Sequence, residues 1–383
     1  MSRIDIVDKG IIFRNPLPGH RVANAFYPEI LCLTDSEWLC VLRIGGALYS
    51  PDGVLELFRT TDAGASWIHE GPVRARGPDN MHYNESEGTI TRLRDRSLVL
   101  RMLRCDHSHP DLLAYNPATQ GLMPVETAFF RSFDGGRTWS DAVVPDIRSH
   151  FPGSIEATPY GRVVELDDGT WFHTFETWKS YDNAGTFDLN IYGLFSRDGG
   201  RTWHDQTPVA VGTQAGRSYS HGMTIRRRDG RIFLAVWTAE AQLQSSYDLC
   251  GVLSSDPSGR AWEAPVSLRI PGQTSCPVEL RPGLLVIVYS HRERTEQPGI
   301  KAVASDDDGH TWSLATPAIL WDAYGKESLG VARSSTYPSS HDAIAYGAPK
   351  ITRLDDATAI ASFWCTQGGD THCRWCCLKV SGA

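Results

Sequence analysis

The stretch SFDGGRTW at residues 132–139 decides the fold, because its pattern returns along the chain. It recurs as SRDGGRTW at 196–203, as SDDDGHTW at 305–312 and as TTDAGASW at 60–67. A fifth copy, with one inserted residue, lies at 254–262. The pattern predicts a tight turn, in which Asp accepts hydrogen bonds from amides, Gly supplies a positive φ and Trp packs beneath the loop. Such self-similarity indicates a repeat architecture.

A second repeat gives the number of units. Apolar, strand-like segments run into a short polar turn and out again at six places: 33–38, 93–98, 166–171, 227–232, 280–285 and 354–359. Each hairpin predicts the inner half of one blade, and the mean spacing of roughly 60 residues suits a four-stranded blade. We therefore predict an all-β fold, a six-bladed β-propeller of four-stranded antiparallel blades. We expect a single domain over residues 1–383, in which the opening strand, Ile4 to Phe13, completes the last blade.

Composition excludes several functions. The chain is 41% hydrophobic and 21% charged, with a net charge of −8. An acidic protein lacks the basic face that nucleic acids and anionic membranes require, so we expect neither as a partner. No run of apolar residues is long enough to span a bilayer, and the first residues lack the apolar segment of a signal peptide. The sequence therefore predicts a soluble, cytoplasmic protein.

Nine cysteines are an odd number for a disulfide framework, and we expect reduced thiols. Several metal-binding residue types crowd the C-terminus: Cys365, His372, Cys373, Cys376 and Cys377. On an extended strand Cys373 and Cys376 face opposite ways, and no second pair stands at ligand spacing. We therefore expect no metal site and no cofactor.

The hairpin turns provide a common ruler for the other face, where the inner strands converge and a small-molecule pocket is expected. Nine residues before the turn stand Tyr27, Glu87, Tyr160, His221, Thr274 and Ala348. Seven residues after it stand Arg43, Leu103, Glu176, Trp237, Ser290 and Trp364, with Arg104, His291 and Arg292 just beyond. Carboxylates, an imidazole, tyrosines and guanidiniums at equivalent positions predict a catalytic mouth.

The turn repeat is the Asp-box, and the chain resembles the sialidase superfamily along nearly its whole length. The resemblance implies that the boxes lie away from the active site. It also implies positions for the sialidase residues: a binding Arg at Phe26, the acid/base Asp at Arg43, a second Arg at Trp237, the nucleophilic Tyr at Ala348 and its Glu at His221. None of these positions holds the family residue, and Tyr346 lies two residues from the nucleophile position. An ordinary sialidase mechanism is therefore not expected.

We predict a carbohydrate-active enzyme, an exo-acting glycoside hydrolase on a small acidic saccharide. The predicted catalytic residues are His221, Glu87, Glu176 and Tyr160. The predicted substrate-binding residues are Arg43, Arg104, His291, Arg292, Tyr27 and Trp237. Two alternatives stay open: a uronate lyase in which His221 or Tyr160 abstracts a proton beside an Arg-bound carboxylate, and a sugar-binding propeller without catalysis. The sequence does not fix the oligomeric state.

Overall fold

The computed structural model describes residues 2–78, 80–153, 155–212, 215–241, 248–292, 297–325 and 344–382. Within these residues, 23 strands form six antiparallel sheets, and helical structure is limited to short 3₁₀ turns, one of them at Arg148–His150. The six-bladed all-β prediction is confirmed. None of the described helical residues forms a helix with the length and apolar character needed to cross a membrane.

The first three blades follow one another along the chain. Blade 1 consists of β2 (Asn24–Cys32), β3 (Trp38–Gly45), β4 (Val54–Thr60) and β5 (Ile68–Pro72). Blade 2 consists of β6 (Tyr83–Arg92), β7 (Leu98–Asp106) and β8 (Val125–Ser132). Blade 3 consists of β9 (Ile155–Glu165), β10 (Trp171–Lys179), β11 (Ile191–Ser196) and β12 (His204–Ala210).

The remaining strands complete the ring. Blade 4 consists of β13 (Arg217–Arg226), β14 (Ile232–Glu240), β15 (Cys250–Leu253) and β16 (Val266–Ser267). Blade 5 consists of β17 (Ser275–Arg281), β18 (Leu284–His291), β19 (Gly299–Ser305) and β20 (Ala318–Asp322). Blade 6 consists of β21 (Tyr346–Arg353), β22 (Thr358–Gln367), β23 (Asp370–Ser381) and the opening strand β1 (Arg3–Phe13).

The opening strand closes the ring as predicted. β1 pairs antiparallel with β23, from Arg3 opposite Ser381 to Phe13 opposite Cys373. Blade 2 differs from the others, because its fourth strand is reduced to a single bridge between Phe129 and Val143. Pro145 follows two residues later, and a proline has no N–H with which to extend the ladder.

Both kinds of predicted turn share one face of the ring. In the repeat at 132–139, the Asp134 carboxylate accepts hydrogen bonds from the Thr138 amide at 2.9 Å and the Thr138 hydroxyl at 2.6 Å. Asp198 and Thr202 make the same pair of bonds. The repeat turn at 60–67 touches the inner hairpin turn of the same blade, since the amide of Ala63 donates to the carbonyl of Ser36 at 2.9 Å. The opposite ends of the blades are thereby left for ligands.

The innermost strands enclose the axis. β2, β6, β9, β13, β17 and β21 each contact the next in this order, and β21 returns to contact β2. Polar side chains cross between blades near the axis: Arg162 pairs with buried Glu29 at 2.5 Å, and Ser362 donates to the carbonyl of Pro28 at 2.9 Å. Apolar clusters fill the spaces between blades, including the T-shaped pair of Trp38 and Trp375. Residues far apart in the chain therefore meet around one axis.

Candidate functional site

An axial cavity opens at the end of the ring away from the turns. It has two adjoining parts, which share Tyr27, Tyr49, Glu87, Tyr160 and His221 in their walls. The part that reaches Arg292 has an empty volume of about 650 Å³, including solvent at its mouth, and the part that reaches Glu176 has about 510 Å³. The four predicted catalytic residues, Glu87, Tyr160, Glu176 and His221, therefore line one cavity.

Bulges in the inner strands turn these side chains toward the axis. The antiparallel register slips between Phe26 and Glu29 in β2 and between Ser220 and Met223 in β13. Within these bulges Tyr27 has φ 53° and His221 has φ 56°, values that a residue with a side chain rarely adopts. Strain of this kind is typical of functional sites, where surrounding structure holds it in place.

A hydrogen-bonded chain joins Glu176 to His221. The Ser220 hydroxyl lies 2.8 Å from Glu176 Oε1 and 2.5 Å from His221 Nδ1. The His221 amide donates to Glu176 Oε2 at 2.6 Å. Burial raises the pKa of Glu176 to about 8, and the charge of Glu87 adds to the rise, although the two hydrogen bonds oppose it. At neutral pH the hydrogen-bonded group of Glu176, Ser220 and His221 therefore carries the proton of the Glu176 carboxyl.

Glu87 is held in the opposite protonation state. Burial alone would raise its pKa, but the Lys350 ammonium, 2.7 Å from Glu87 Oε1, and buried Arg101 hold the pKa below its ordinary value. Both partners of the pair are almost fully buried. Glu87 is therefore an ionised carboxylate close to a protonated one, the separation of roles seen in carboxylate pairs that act as acid and base.

The tyrosines of the cavity remain phenols. Burial raises the pKa of Tyr160 and of Tyr27 well above the ordinary value. Glu176 and Glu87 raise the pKa of Tyr160 further, and Tyr49 and Glu87 raise that of Tyr27. The ring of Tyr160 lies 4.7 Å from that of His221, centroid to centroid. A phenol in this setting donates a hydrogen bond readily and gives up its proton reluctantly.

Three of the predicted substrate-binding residues also line the cavity. Tyr27 lies in both parts, whereas Trp237 and Arg292 lie in the larger part. The Arg292 guanidinium donates to Gln273 Oε1 at 2.9 Å and to the carbonyl of Tyr346. Gly347 makes room for it, because a Cβ at that position would collide with the guanidinium.

The other three predicted binding residues lie outside the walls of the cavity. Arg43 is fully buried and donates to the carbonyls of Ala47 and Ser50, at 2.6 and 2.8 Å, so it holds the loop after β3. Arg104 pairs with Glu126 at 2.7 Å. His291 is nearly buried, and burial lowers its pKa to about 4. Arg43 stands at a ruler position and Arg104 and His291 stand one residue beyond one, but none of the three side chains lines the cavity.

Sequence reasoning missed Lys350, Ser220 and Tyr49. Lys350 and Ser220 stand within two residues of the ruler positions Ala348 and His221, so allowing for a bulge at the ruler position would have found both. Tyr49 lies in the loop after β3, which no strand pattern places. Tyr346, beside the expected nucleophile position, is buried, and its hydroxyl donates to the carbonyl of His291 at 2.9 Å.

The C-terminal cysteines belong to the core of blade 6. Cys365, Cys373 and Cys376 are buried, and all nine cysteines are free thiols. Cys365 Sγ lies 3.6 Å from His372 Nε2. Across the described ranges, no three His, Cys, Asp or Glu side chains come together as a metal ion would need.

A family model identifies the repeats. Residues 111–340 match the model described as a BNR repeat-like domain. The chain belongs to the BNR repeat-like domain family. This BNR protein shares its fold with solved sialidase structures. A comparison with curated protein sequences finds no match.

Solved structures share the fold of this BNR protein at low sequence identity. A Dyadobacter fermentans protein of unknown function has a TM-score of 0.72 at 18% identity, and the alignment covers 99% of each chain. A Hadza microbial sialidase has a TM-score of 0.68 at 16% identity, covering 97% of this chain and 68% of the sialidase. An α-L-arabinanase from Penicillium chrysogenum, complexed with arabinobiose, has a TM-score of 0.62 at 14% identity, covering 98% of each chain. The likeness shows the fold that these glycosidases share.

Proposed function

We propose that this BNR protein is an exo-acting glycoside hydrolase of small saccharides. The observation that carries the proposal is the pair of carboxyl groups in one cavity, with the pKa of Glu176 raised to about 8 and that of Glu87 lowered. Glycosidases use two carboxyl groups in these two states, one to protonate the leaving oxygen and one to act on the sugar ring. The likeness to a sialidase and an arabinanase supports the same chemistry.

The roles follow from the contacts. The chain of Glu176, Ser220 and His221 delivers a proton to the leaving oxygen as the glycosidic bond breaks. The Glu87 carboxylate, kept ionised by Lys350, either attacks the anomeric carbon or accepts a proton from the attacking water. Tyr160 and Tyr27 donate hydrogen bonds to the sugar.

The raised pKa of Tyr160 argues against the lyase alternative in the form that uses this tyrosine as a base. It argues equally against an activated tyrosine as nucleophile, so the proposed mechanism differs from that of a sialidase. The acidic nature of the saccharide stays a prediction that depends on Arg292, since Arg43 and Arg104 are outside the cavity walls. A cytoplasmic location likewise stays a proposal from the sequence.

A substrate panel tests the proposal. We would assay 4-methylumbelliferyl glycosides of arabinofuranose, uronic acids and sialic acid for release of the fluorescent alcohol. At least one glycoside is expected to be hydrolysed, and Glu87→Gln should lower kcat on it by about a hundredfold or more. Glu176→Gln should lower kcat to the same extent on the corresponding methyl glycoside, whose alcohol needs a proton in order to leave. The control is Glu126→Gln, on β8 outside the cavity, which should leave kcat unchanged.

Three results would overturn the proposal. An unsaturated sugar product would show elimination, binding of a glycoside without turnover would show a sugar-binding propeller, and full activity of Glu176→Gln on the methyl glycoside would remove the acid. Each result is distinct in the same assay, once the product is identified by mass spectrometry.

A further inference from the structure

A second recess lies beside the axial cavity and is much larger. It runs between the loop after β3 and the loop from Pro110 to Gln120, and its empty volume is about 1650 Å³, including solvent at its mouth. Apolar side chains form most of its wall, and the larger ones include Leu48, Pro51, Leu112, Leu113, Tyr115 and Trp178. We call it the leucine groove. Asp111 is the single charged side chain among the residues that line it.

The groove is a formed structure. The amide of Leu122 donates to the carbonyl of Lys179 at 2.8 Å, and the indole N–H of Trp178 donates to the carbonyl of Gln120 at 3.0 Å. These bonds attach the loop of blade 2 to blade 3. The rings of Tyr49, Tyr115 and Trp178 pack edge to face, with centroids 5.2 and 5.7 Å apart. The wall is thus present before any ligand arrives.

The groove joins the axial cavity on its acid side. Ala114, Tyr115 and Trp178 line both the groove and the part of the cavity that contains Glu176. Trp178 follows Glu176 by two residues on β10, so both side chains stand on the same face of the strand. The part of the cavity that contains both Glu176 and His221 therefore adjoins the groove.

The side chains that line the leucine groove indicate which kind of ligand binds there. Leu113 is 63% exposed and Leu112 is 41% exposed. A ligand that covers this apolar surface removes it from water, and the hydrophobic effect then favours binding. Two of the polar side chains there are engaged elsewhere: the amide of Asn116 donates to the carbonyl of Tyr181 at 3.1 Å, and the hydroxyl of Ser50 bonds to Asp52. The side chains of Asp111 and Gln120 are further polar groups of a wall that is mainly apolar.

We propose that the leucine groove binds the leaving group of the substrate, and that this group is an apolar aryl or alkyl alcohol. The proposal rests on the hydrolase function above, which sets the place of the leaving group. The protein would then act on glycosides of apolar alcohols, with the sugar in the axial cavity and the alcohol in the groove.

Binding of the free alcohol tests the groove without any turnover. We would titrate the protein with 4-methylumbelliferone in a calorimeter at several temperatures. Saturable binding with a negative heat-capacity change is expected, because apolar surface is buried. Leu113→Asp should weaken binding at least about tenfold, since it places a charge against the alcohol. Leu17→Asp, at a 50% exposed leucine outside the groove, is the matched control and should bind as the wild type does.

Circular dichroism of each variant shows whether it is folded. Leu112→Asp, a second substitution in the wall of the groove, should weaken binding in the same way as Leu113→Asp while the protein stays folded. Absence of saturable binding, or binding by Leu113→Asp that equals that of the wild type, would contradict the proposal that the groove binds an apolar alcohol. Binding of arabinobiose there, lost in Leu113→Asp while the aryl alcohol fails to bind, would assign the groove to sugar instead.

Activity separates this proposal from the previous one. On a hydrolysed sugar, kcat/KM should be at least about tenfold higher for the 4-methylumbelliferyl than for the methyl glycoside, and Leu113→Asp should lower that ratio. The 4-methylumbelliferyl group is also the better leaving group, so the ratio of the two kcat/KM values is compared between the wild type and Leu113→Asp. If both proteins hydrolyse the glycosides with the same ratio, the groove does not bind the leaving group, and the hydrolase function still stands. Alcohol binding by the wild type without hydrolysis of any glycoside would overturn the hydrolase function and leave an apolar binding site.

Discussion

The contrast between Glu176 and Glu87 arises from their different neighbours. Both are buried glutamates beside the same cavity, and burial pushes the pKa of each upward. Only Glu87 has an ammonium partner, and that partner, Lys350, comes from a strand 263 residues later in the chain. Two residues of one type therefore take opposite protonation states, which is what acid and base catalysis require.

Replacing Lys350 tests this contrast from the Glu87 side. In Lys350→Met the pKa of Glu87 rises, because burial is no longer opposed by the ammonium. Since the mechanism needs the carboxylate form, the acid limb of the pH–kcat profile moves to higher pH. Loss of one partner of a buried pair also lowers the free energy of unfolding at neutral pH by about 3 kcal/mol. Urea denaturation should show most of that loss restored in Glu87→Gln/Lys350→Met. An unmoved acid limb would contradict the assignment.

Replacing Ser220 tests the proton chain. The Ser220 hydroxyl lowers the pKa of Glu176, so Ser220→Ala raises that pKa further above about 8. The alkaline limb of the profile, where the chain loses its proton, should move to higher pH, while kcat falls by about tenfold or more. Ser218→Ala, also buried on β13 and bonded to the carbonyl of Ala241, is the control. The prediction fails if both variants keep the wild-type limb.

At the scale of the element, the bulges explain why the ruler found some site residues and missed others. A proline or glycine follows the ruler residue in Tyr27-Pro28, Tyr160-Gly161, His221-Gly222 and Ala348-Pro349. Proline gives no ladder hydrogen bond and glycine accepts a positive φ, so both suit an irregular strand. The sequence contains this signal, but the ruler names one position on each strand and takes no account of a bulge. Lys350, two residues beyond Ala348, was therefore not assigned.

Strain at a bulge can be measured at Ala348, whose φ is 44°. A side chain in the left-handed region costs about 1 kcal/mol or more, whereas glycine adopts it freely. Ala348→Gly should therefore raise the free energy of unfolding by about 0.5 kcal/mol, after the greater entropy of glycine in the unfolded chain is subtracted. Ala318→Gly, in β20 without a positive φ, should lower it by about 0.5–1 kcal/mol. Destabilisation of equal size in both variants would show that the bulge is not strained.

At the scale of the whole molecule, the number of blades was predictable and the directions of the inner side chains were not. The turn repeats depend on local hydrogen bonds, such as those of Asp134, so a short window of sequence predicts them. Lys350, the partner of Glu87, lies in blade 6, and only the closed ring brings the two together. Candidate residues could thus be named by their position in the sequence. Only the contacts in the structure show that Arg43 holds a loop, whereas Lys350 pairs with Glu87 and lines the cavity.

Closure of the ring depends on β1 lying close to β23. Gly10 faces Trp375, and a Cβ on Gly10 would lie 2.6 Å from the indole nitrogen. Gly10→Ala should therefore force these strands apart and lower the free energy of unfolding by about 1–3 kcal/mol. Gly19→Ala is the control, because no atom beyond its neighbours lies within 4 Å of a Cβ there. Equal melting temperatures of the two variants would contradict the packing of this closure.

The central claim is that Glu176 carries a proton at neutral pH while Glu87 does not. Infrared difference spectroscopy across a pH titration measures this directly, through the C=O stretch of a protonated carboxylic acid. We predict a band that is present at neutral pH, disappears with an apparent pKa of about 8 and is missing from Glu176→Gln, whereas Glu87→Gln retains it. A neutral-pH spectrum without that band, or a band that persists in Glu176→Gln, would contradict the account.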